Sequence, residues 1–203
     1  MATLQQAPVN PALPPAFISF SAEVIPQTSE ALIGAVSQFV SQGFRDIHLL
    51  LSTPGGLVSY GITVYNALRG MPINLTTHNV GNVDSIGAVI FLAGTKRFTC
   101  PQATFMLHGV SFRTMGPTQF FEKNLKERLA SIQADHERIK AIYQSRAGIS
   151  PEDAESFFLG ESSINASDAV ARGLAHEIRE VQIPAGSPIA QLVFNRQGGM
   201  QQF

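Results

Sequence analysis

The feature that most constrains the fold is a short apolar run that ends in a glycine turn and leads into a helical pattern. Residues 46–52 are almost continuously apolar, and a Pro-Gly-Gly turn follows at 54–56. Such a run is typical of a buried parallel strand. After the turn, apolar residues recur at helical spacing, at Tyr60, Val64 and Leu68. The segment therefore predicts a strand, a tight turn and a helix in succession.

The same alternation continues along the chain. The apolar patterns predict further strands at 17–20, 73–78, 97–99, 104–107 and 174–180. Helical patterns fall at 29–43 and 85–94, and capping signals predict two more helices at 150–160 and 165–173. Strands alternating with helices favour an α/β fold with a mainly parallel sheet.

The domain is expected to occupy residues 16–180. Residues 1–15 are rich in Pro, Gln and Ala and predict an extended arm, and the Pro-, Gly- and Gln-rich residues 181–203 are interpreted as a tail. The longest helical pattern, 118–147, would extend about 40 Å. That is longer than a compact domain needs, so this helix is expected to project toward a partner.

Composition excludes several classes of function. The net charge is −1, which provides no electrostatic basis for binding nucleic acid or an anionic membrane. Charged residues make up only 14%, which favours burial of some surface between subunits. The single cysteine excludes an intrachain disulfide, and the start of the chain has no signal-peptide pattern. A cytoplasmic homo-oligomer is expected.

A serine and a histidine are the candidate catalytic residues. Ser85 follows the turn Val80 to Asp84 at the start of an apolar helix, and His108 follows the strand at 104–107. A serine hydroxyl becomes nucleophilic when a base accepts its proton, and the resulting oxyanion needs backbone N–H donors. The glycine turn at 54–56 could supply such a donor. On position alone, however, Ser85 is explained as an N-cap and His108 as a structural residue.

Two other motifs do not indicate a site. The Pro-Gly-Gly turn lacks the lysine and the spacing of a phosphate-binding loop. His136-Glu137 resembles the start of a zinc-binding helix, but Lys140 stands where the second histidine ligand would be. No metal and no cofactor are predicted.

The motifs taken in order resemble the proteolytic subunit of the Clp protease family (ClpP). The resemblance covers about residues 17–180. The family's Asn-Ser-Pro-Gly-Gly, Ala-Ser-Met-Gly-Ala and Met-Ile-His motifs correspond here to residues 52–56, 84–88 and 106–108.

The resemblance implies a fold and a mechanism. The fold is the ClpP/crotonase type, built of repeated ββα and βαβ units with a projecting long handle helix. The implied activity is a serine endopeptidase with Ser85 as nucleophile, His108 as general base, and the backbone N–H groups of Gly56 and Ile86 as the oxyanion hole. The implied partners are peptide or unfolded protein substrates, further copies in paired heptameric rings, and an AAA+ ATPase unfoldase.

The third member of the triad does not follow from the motifs. Aligning 147–150 and 168–174 with the family places Phe157 where the family has its aspartate. At helical spacing, Asp153 and Glu161 lie four residues on either side of Phe157, and either carboxylate is a candidate substitute.

Three alternatives therefore stay open. The chain could be a catalytically impaired structural ring subunit, because phenylalanine cannot orient an imidazole. It could use a Ser–Lys dyad with Lys123 or Lys126 as base. It could also be a crotonase-type acyl-CoA enzyme that polarises a thioester through the regions around Gly56 and Gly87.

Overall fold

The computed structural model describes residues 13–112, 114, 116, 119–192 and 194. In that part of the chain, strands and helices alternate, which confirms the α/β class. The strands are β1 (Ala16–Ser21), β2 (Asp46–Thr53), β3 (Asn74–Asp84), β4 (Lys96–Thr99), β5 (Thr104–His108), β6 (Glu161–Asn165), β7 (Glu177–Ile178) and β8 (Ile189–Leu192). The helices are α1 (Pro26–Ser41), α2 (Val58–Gly70), α3 (Gly87–Phe91), α4 (Glu122–Ala147), α5 (Pro151–Leu159) and α6 (Ala166–Ala171).

The described strands form one sheet that forks at β3. The main path runs β6-β5-β3-β2-β1-β8, while β4 pairs with β3 and with β7. The start of β3 pairs with β4 at residues 76–79, and its end pairs with β5 at residues 82–84. All these pairs are parallel except β5 with β6. The fork brings the carboxyl end of β3 beside β5.

The core lies between the sheet and its helices. On β2, Ile47, Leu49 and Leu51 are fully buried, whereas the residues between them are partly exposed. The same hydrophobic cluster includes Leu32 of α1 and Val64 of α2. The predicted β-turn-α unit is therefore present, and the turn at 54–56 sits at the carboxyl end of a strand anchored in the core.

Several predicted boundaries differ from the structure. Residues 80–84, predicted as a turn, continue β3, because pairing with β5 supplies hydrogen-bond partners that no local pattern reveals. Helix α1 begins at Pro26, three residues earlier than predicted, and β7 is only Glu177–Ile178. The predicted start of the long helix at residue 118 lies outside the described residues, and α4 is described from Glu122.

Strand β6 was not predicted. Gly160 ends α5 with an extended backbone, and the next five residues pair antiparallel with β5. Its sequence, Glu-Ser-Ser-Ile-Asn, has one buried residue, Ile164, and so carries almost no strand pattern. Only the tertiary pairing makes it a strand.

The segment interpreted as a tail contributes β8, which pairs in parallel with β1. Its residues are half-buried or exposed, so its hydrophobic pattern is weak. Residues 1–12 of the predicted arm, residue 193 and residues 195–203 lie outside the described residues.

The long helix α4 divides into two halves. Its C-terminal half buries Ile139 and Tyr143 against the core. At its N-terminal end, Phe121, Leu125 and Leu129 are between 49% and 65% exposed. One continuous apolar stripe is thus buried at one end and uncovered at the other.

Candidate active site

Ser85 lies in a strained connection between β3 and α3. Its φ is 54°, in the left-handed region that a non-glycine residue seldom adopts. Its backbone N–H donates to the carbonyl of Met106 on β5 at 2.6 Å. Residues held in such conformations cluster at functional sites, where the surrounding structure determines them. Ser85 is therefore anchored to the strand that carries His108.

His108 ends β5 close to Ser85. The pairing of β3 with β5 sets Asp84 opposite Met106, and His108 lies two residues farther along. Two residues of strand span about 7 Å. The side chains of Ser85 and His108 border the same small cavity, of about 70 Å³. The structure thus brings together the two residues that the sequence singled out.

The glycine turn packs directly against Ser85. A Cβ added to Gly55 would lie 2.7 Å from the Cβ of Ser85, and one added to Gly56 would overlap the carbonyl oxygen of Val24. Both glycines have positive φ, 84° and 150°. Val24 also holds the turn, donating to the carbonyl of Gly55 and accepting from Leu57. A side chain at Gly55 would force this turn away from Ser85, and one at Gly56 would force it away from Val24.

Two backbone N–H groups at the cavity have no acceptor among the described residues. Within the described residues, neither the N–H of Gly56 nor that of Ile86 donates to a protein oxygen. Both residues line the cavity with Ser85 and His108. Ile86 is buried, and buried N–H groups are nearly always paired, whereas Gly56 is exposed. Two such donors at a cavity suit an anion or a ligand oxygen. These are the two groups that the sequence analysis named as the oxyanion hole.

The floor of the cavity is apolar. Ile139 and Tyr143 of α4 line it and are 5% and 3% exposed. Burial raises the pKa of Tyr143, so its phenol stays protonated and neutral. Tyr143 therefore contributes no charge to this cavity.

Glu161, which helical spacing had placed near Phe157, lies opposite His108 instead. Glu161 begins β6 and is the antiparallel partner of His108. Directly opposed residues of an antiparallel pair point to the same face with Cβ atoms about 5 Å apart. The helical spacing used to connect Glu161 with Phe157 was wrong, because Gly160 ends the helix before Glu161. Recognising β6 would have required the pairing with β5.

Phe157 and Asp153 lie away from this site. Phe157 is 3% exposed on α5, under the guanidinium of Arg172. Both residues border a different cavity, of about 400 Å³, beside Gly148 and Gly173. The identity of residue 157 therefore says nothing about the acid beside His108, and Asp153 is not its substitute.

The lysines of the alternative dyad also lie elsewhere. Lys123 and Lys126 are 84% and 75% exposed in the first turns of α4, where they pair with Glu127 and Glu122. Neither lines the cavity at Ser85. This placement disfavours a lysine as the base for Ser85.

Comparison with known proteins agrees with the motifs. The family model described as Clp protease matches residues 9–182. The chain belongs to the Clp protease family. The confirmed resemblance also accounts for the turn, the strained serine and the long helix in one arrangement.

Relatives of this Clp protease family member are found in several bacteria. The chain is 30% identical over 144 residues to the ATP-dependent Clp protease proteolytic subunit 2 of Pseudomonas aeruginosa, covering 68% of this chain and 70% of that one. It is 28% identical over 142 residues to the subunit 2 of Chlamydia trachomatis serovar D, covering 66% of this chain. The match spans 65% of the length of that chlamydial relative.

Membrane-spanning helices and metal-ligand clusters are both absent from the described residues. No described helix is both long and apolar enough to cross a bilayer. Across the same residues, no three His, Cys, Asp or Glu side chains cluster as metal ligands would.

Proposed function

We propose that this chain is a Clp-type serine endopeptidase in which Ser85 is the nucleophile and His108 the general base. One observation carries the proposal: in a member of the Clp protease family, Ser85 and His108 line one cavity with Gly56 and Ile86, whose N–H groups have no acceptor among the described residues. The peptidase domain covers residues 16–180, with β8 added to its sheet. Its substrates are peptides and unfolded proteins.

In the acylation step, the hydroxyl oxygen of Ser85 attacks the carbonyl carbon of the peptide bond. His108 accepts the hydroxyl proton, and the N–H groups of Gly56 and Ile86 donate to the oxyanion of the tetrahedral intermediate. His108 then transfers that proton to the leaving amine as the carbon–nitrogen bond breaks. The products are a free amino terminus and an ester on Ser85.

In the deacylation step, a water molecule attacks the ester carbonyl and gives a proton to His108. The same two N–H groups stabilise the second oxyanion, and the proton returns to the oxygen of Ser85 as the carboxylic acid product leaves. Ser85 and His108 are not hydrogen-bonded to each other within the described structure. Catalytic hydrogen bonds often shorten only when substrate binds, so the lack of a direct hydrogen bond between Ser85 and His108 in the described structure is compatible with the mechanism.

Glu161 supplies the carboxylate that orients His108. A carboxylate that accepts from one imidazole nitrogen leaves the other nitrogen free to accept the serine proton. Glu161 makes no ion pair with any described residue, and its position opposite His108 favours this role. A carboxylate at this position removes the reason for assigning the chain as an impaired ring subunit.

The proposal is tested by intact mass after exposure to a fluorophosphonate, which phosphonylates an activated serine. The wild type gains one phosphonyl group, and Ser85→Ala and His108→Ala do not. Ser111→Ala is the matched control, because Ser111 lines the same cavity and this variant is expected to label at the wild-type rate. A folded, assembled wild type that does not label would overturn the assignment.

We also propose that the chain assembles into paired heptameric rings through α4. Phe121, Leu125 and Leu129 form an uncovered apolar stripe on this helix, which suits packing against other copies. Leu129→Glu is expected to dissociate the assembly in sedimentation, whereas Ser131→Glu, with the same charge on the opposite helix face, is not. The relatives are named ATP-dependent, and an AAA+ unfoldase is the proposed partner that delivers substrate.

A further inference from the structure

A histidine outside the catalytic set is hydrogen-bonded to the segment that follows His108. His136 lies on α4, and its Nε2 accepts the backbone N–H of Val110 at 2.9 Å. Val110 is two residues beyond His108 and lines the cavity at Ser85. The interaction spans 26 residues of sequence, so it joins α4 to the end of β5.

The His136 imidazole is also held on its flat side. It stacks on the ring of Phe158, with the ring centroids 4.2 Å apart and the planes 12° from parallel. Phe158 lies near the end of α5, three residues before Glu161. One side chain therefore contacts the segment after His108 and the helix that leads to Glu161.

The backbone packing at this point leaves little room for movement. A Cβ added to Gly109 would overlap the carbonyl oxygen of Phe158. The chain between His108 and Val110 is thus pressed against α5, while His136 holds Val110 from α4. Helix α4, helix α5 and the segment after β5 therefore meet at His136. That segment follows His108 directly, and α5 leads to Glu161.

We propose that His136 is a positioning residue for the catalytic pair, acting as a neutral hydrogen-bond acceptor that aligns the His108 segment with Glu161. The role rests on the proposed peptidase function, since it concerns the geometry of that same site. His136 does not touch the reacting atoms. Its effect passes through Val110 on one side and Phe158 on the other.

The acceptor role requires a particular protonation state. Only an unprotonated Nε2 can accept from Val110, so in the neutral ring the proton is on Nδ1. Burial lowers the pKa of His136, which favours the accepting form. After burial, Asp135 and Glu137 act to raise this pKa and Lys140 acts to lower it. On the elements packed against the ring, Glu155 of α5 pairs with Lys140, and the titratable residues His108 and Glu161 lie opposite each other on β5 and β6.

Two variants separate the acceptor from the ring stack. His136→Phe keeps an aromatic ring on Phe158 but leaves the N–H of Val110 without its acceptor. His136→Gln keeps a polar acceptor at similar reach and cannot titrate. We expect His136→Phe to slow fluorophosphonate labelling of Ser85 by about 10- to 100-fold, because small displacements of a catalytic group cost that much. His136→Gln is expected to stay within about threefold of wild type near pH 8.

The pH profile is a readout that a merely structural role would not change. In the wild type, protonation of His136 removes the acceptor for the N–H of Val110, so labelling of Ser85 is expected to fall more steeply toward acid pH than in a variant that cannot titrate at this position. His136→Gln cannot titrate at residue 136, so its acid limb is expected to be shallower than that of the wild type. An unchanged acid limb in His136→Gln, or labelling of His136→Phe at the wild-type rate, would overturn the proposal.

Hydrogen exchange distinguishes this inference from the proposed function. Exchange at the Val110 amide is expected to accelerate in His136→Phe and to stay slow in His136→Gln, whether or not Ser85 is labelled. If the wild type is not labelled but shows these exchange rates, the peptidase function is rejected, and with it the positioning of the catalytic pair by His136. Unchanged exchange in His136→Phe in a labelled protein would reject the positioning role alone. If His136→Phe does not fold, the acid limb of His136→Gln decides the matter.

Discussion

His108 at the end of β5 lies directly opposite Glu161 at the start of β6. The opposition follows from an antiparallel register that covers all five residues of each strand, from Thr104 with Asn165 to this pair. It places a carboxylate on the same face of the sheet as the candidate base. The residue at position 157, one helix turn earlier, has no such relation to the site.

Glu161→Gln is therefore expected to reduce turnover without unfolding the chain. Loss of the carboxylate removes the group that selects the His108 tautomer, and in the serine-protease template the equivalent change to an amide costs about 10⁴-fold in turnover. A loss of about 10²- to 10⁴-fold in peptide hydrolysis is expected here. Asp153→Asn, the other candidate carboxylate, is the control and should retain wild-type turnover. Equal losses in both variants would argue against Glu161.

Alanine substitutions at two glycines are expected to affect different properties: Gly56→Ala the reactivity of Ser85, and Gly34→Ala the stability of the fold. Gly56→Ala places a methyl group against the carbonyl of Val24, so the turn at 54–56 must shift away from Val24 and the N–H of residue 56 is displaced from its position at the cavity. We expect it to lower the fluorophosphonate labelling rate by more than about 10-fold. Gly34→Ala introduces a methyl group into open space on α1, and helix propensity predicts a gain of about 0.5–1 kcal/mol in unfolding free energy. Urea unfolding and labelling kinetics check both, and a labelling rate in Gly56→Ala equal to wild type would contradict the role of this turn.

Stability should fall in acid because of a buried histidine pair. His48 Nδ1 and His78 Nε2 are 3.0 Å apart with stacked rings. Burial, the neighbouring His48 and then Arg179 lower the pKa of His78 to about 4, from 6.5. The folded state therefore binds fewer protons than the unfolded state between these values, so stability is constant above about pH 6.5 and decreases as pH falls toward 4.

The lowered pKa of His78 corresponds to a loss of about 3 kcal/mol of unfolding free energy as the pH falls from 7 to 4. Urea denaturation across this range measures it. His78→Phe places an aromatic ring between His48 and Phe98 that cannot titrate, and its pH dependence is expected to be shallower by about this amount. An identical pH dependence in wild type and His78→Phe would show that other groups determine acid stability.

Arg97 should contribute far more to stability than a surface arginine. It is 4% exposed and donates to the carbonyls of Leu174, Arg146 and Gly173, which joins β4 to α4 and to the turn after α6. Burial, with the nearby Arg146, lowers the pKa of Arg97 to about 10, so it remains charged at neutral pH.

Arg97→Lys is expected to lose about 2–4 kcal/mol of unfolding free energy, because one ammonium group cannot reach the carbonyls that the guanidinium fork satisfies. Arg138→Lys is the matched control. Arg138 is half exposed in a surface pair with Asp135, and its substitution should cost less than about 0.5 kcal/mol. Chemical denaturation of both variants is the measurement. Losses of similar size would contradict the carbonyl-binding role of Arg97.

Much of this site could be predicted from local patterns. The strand at 46–52, the glycine turn after it, and the serine and histidine at the ends of β3 and β5 all depend on residues close together in sequence. Helix caps were local as well: Ser150 and Asn165 accept from Asp153 and Asp168 as their spacing predicts. Strands β6 and β8 were missed because their residues are mostly exposed or half-buried and carry no hydrophobic period.

The sequence by itself determined the α/β class, the family and the candidate nucleophile and base, because apolar periodicity and short motifs record local conformation. Tertiary structure alone decided which carboxylate lies beside His108 and which histidine holds Val110. Those relations depend on the pairing of β5 with β6 and on the packing of α4 against α5. Residues brought together by sheet register or helix packing have no fixed spacing along the chain, so only the folded arrangement reveals that Glu161 lies opposite His108 and that His136 accepts from Val110.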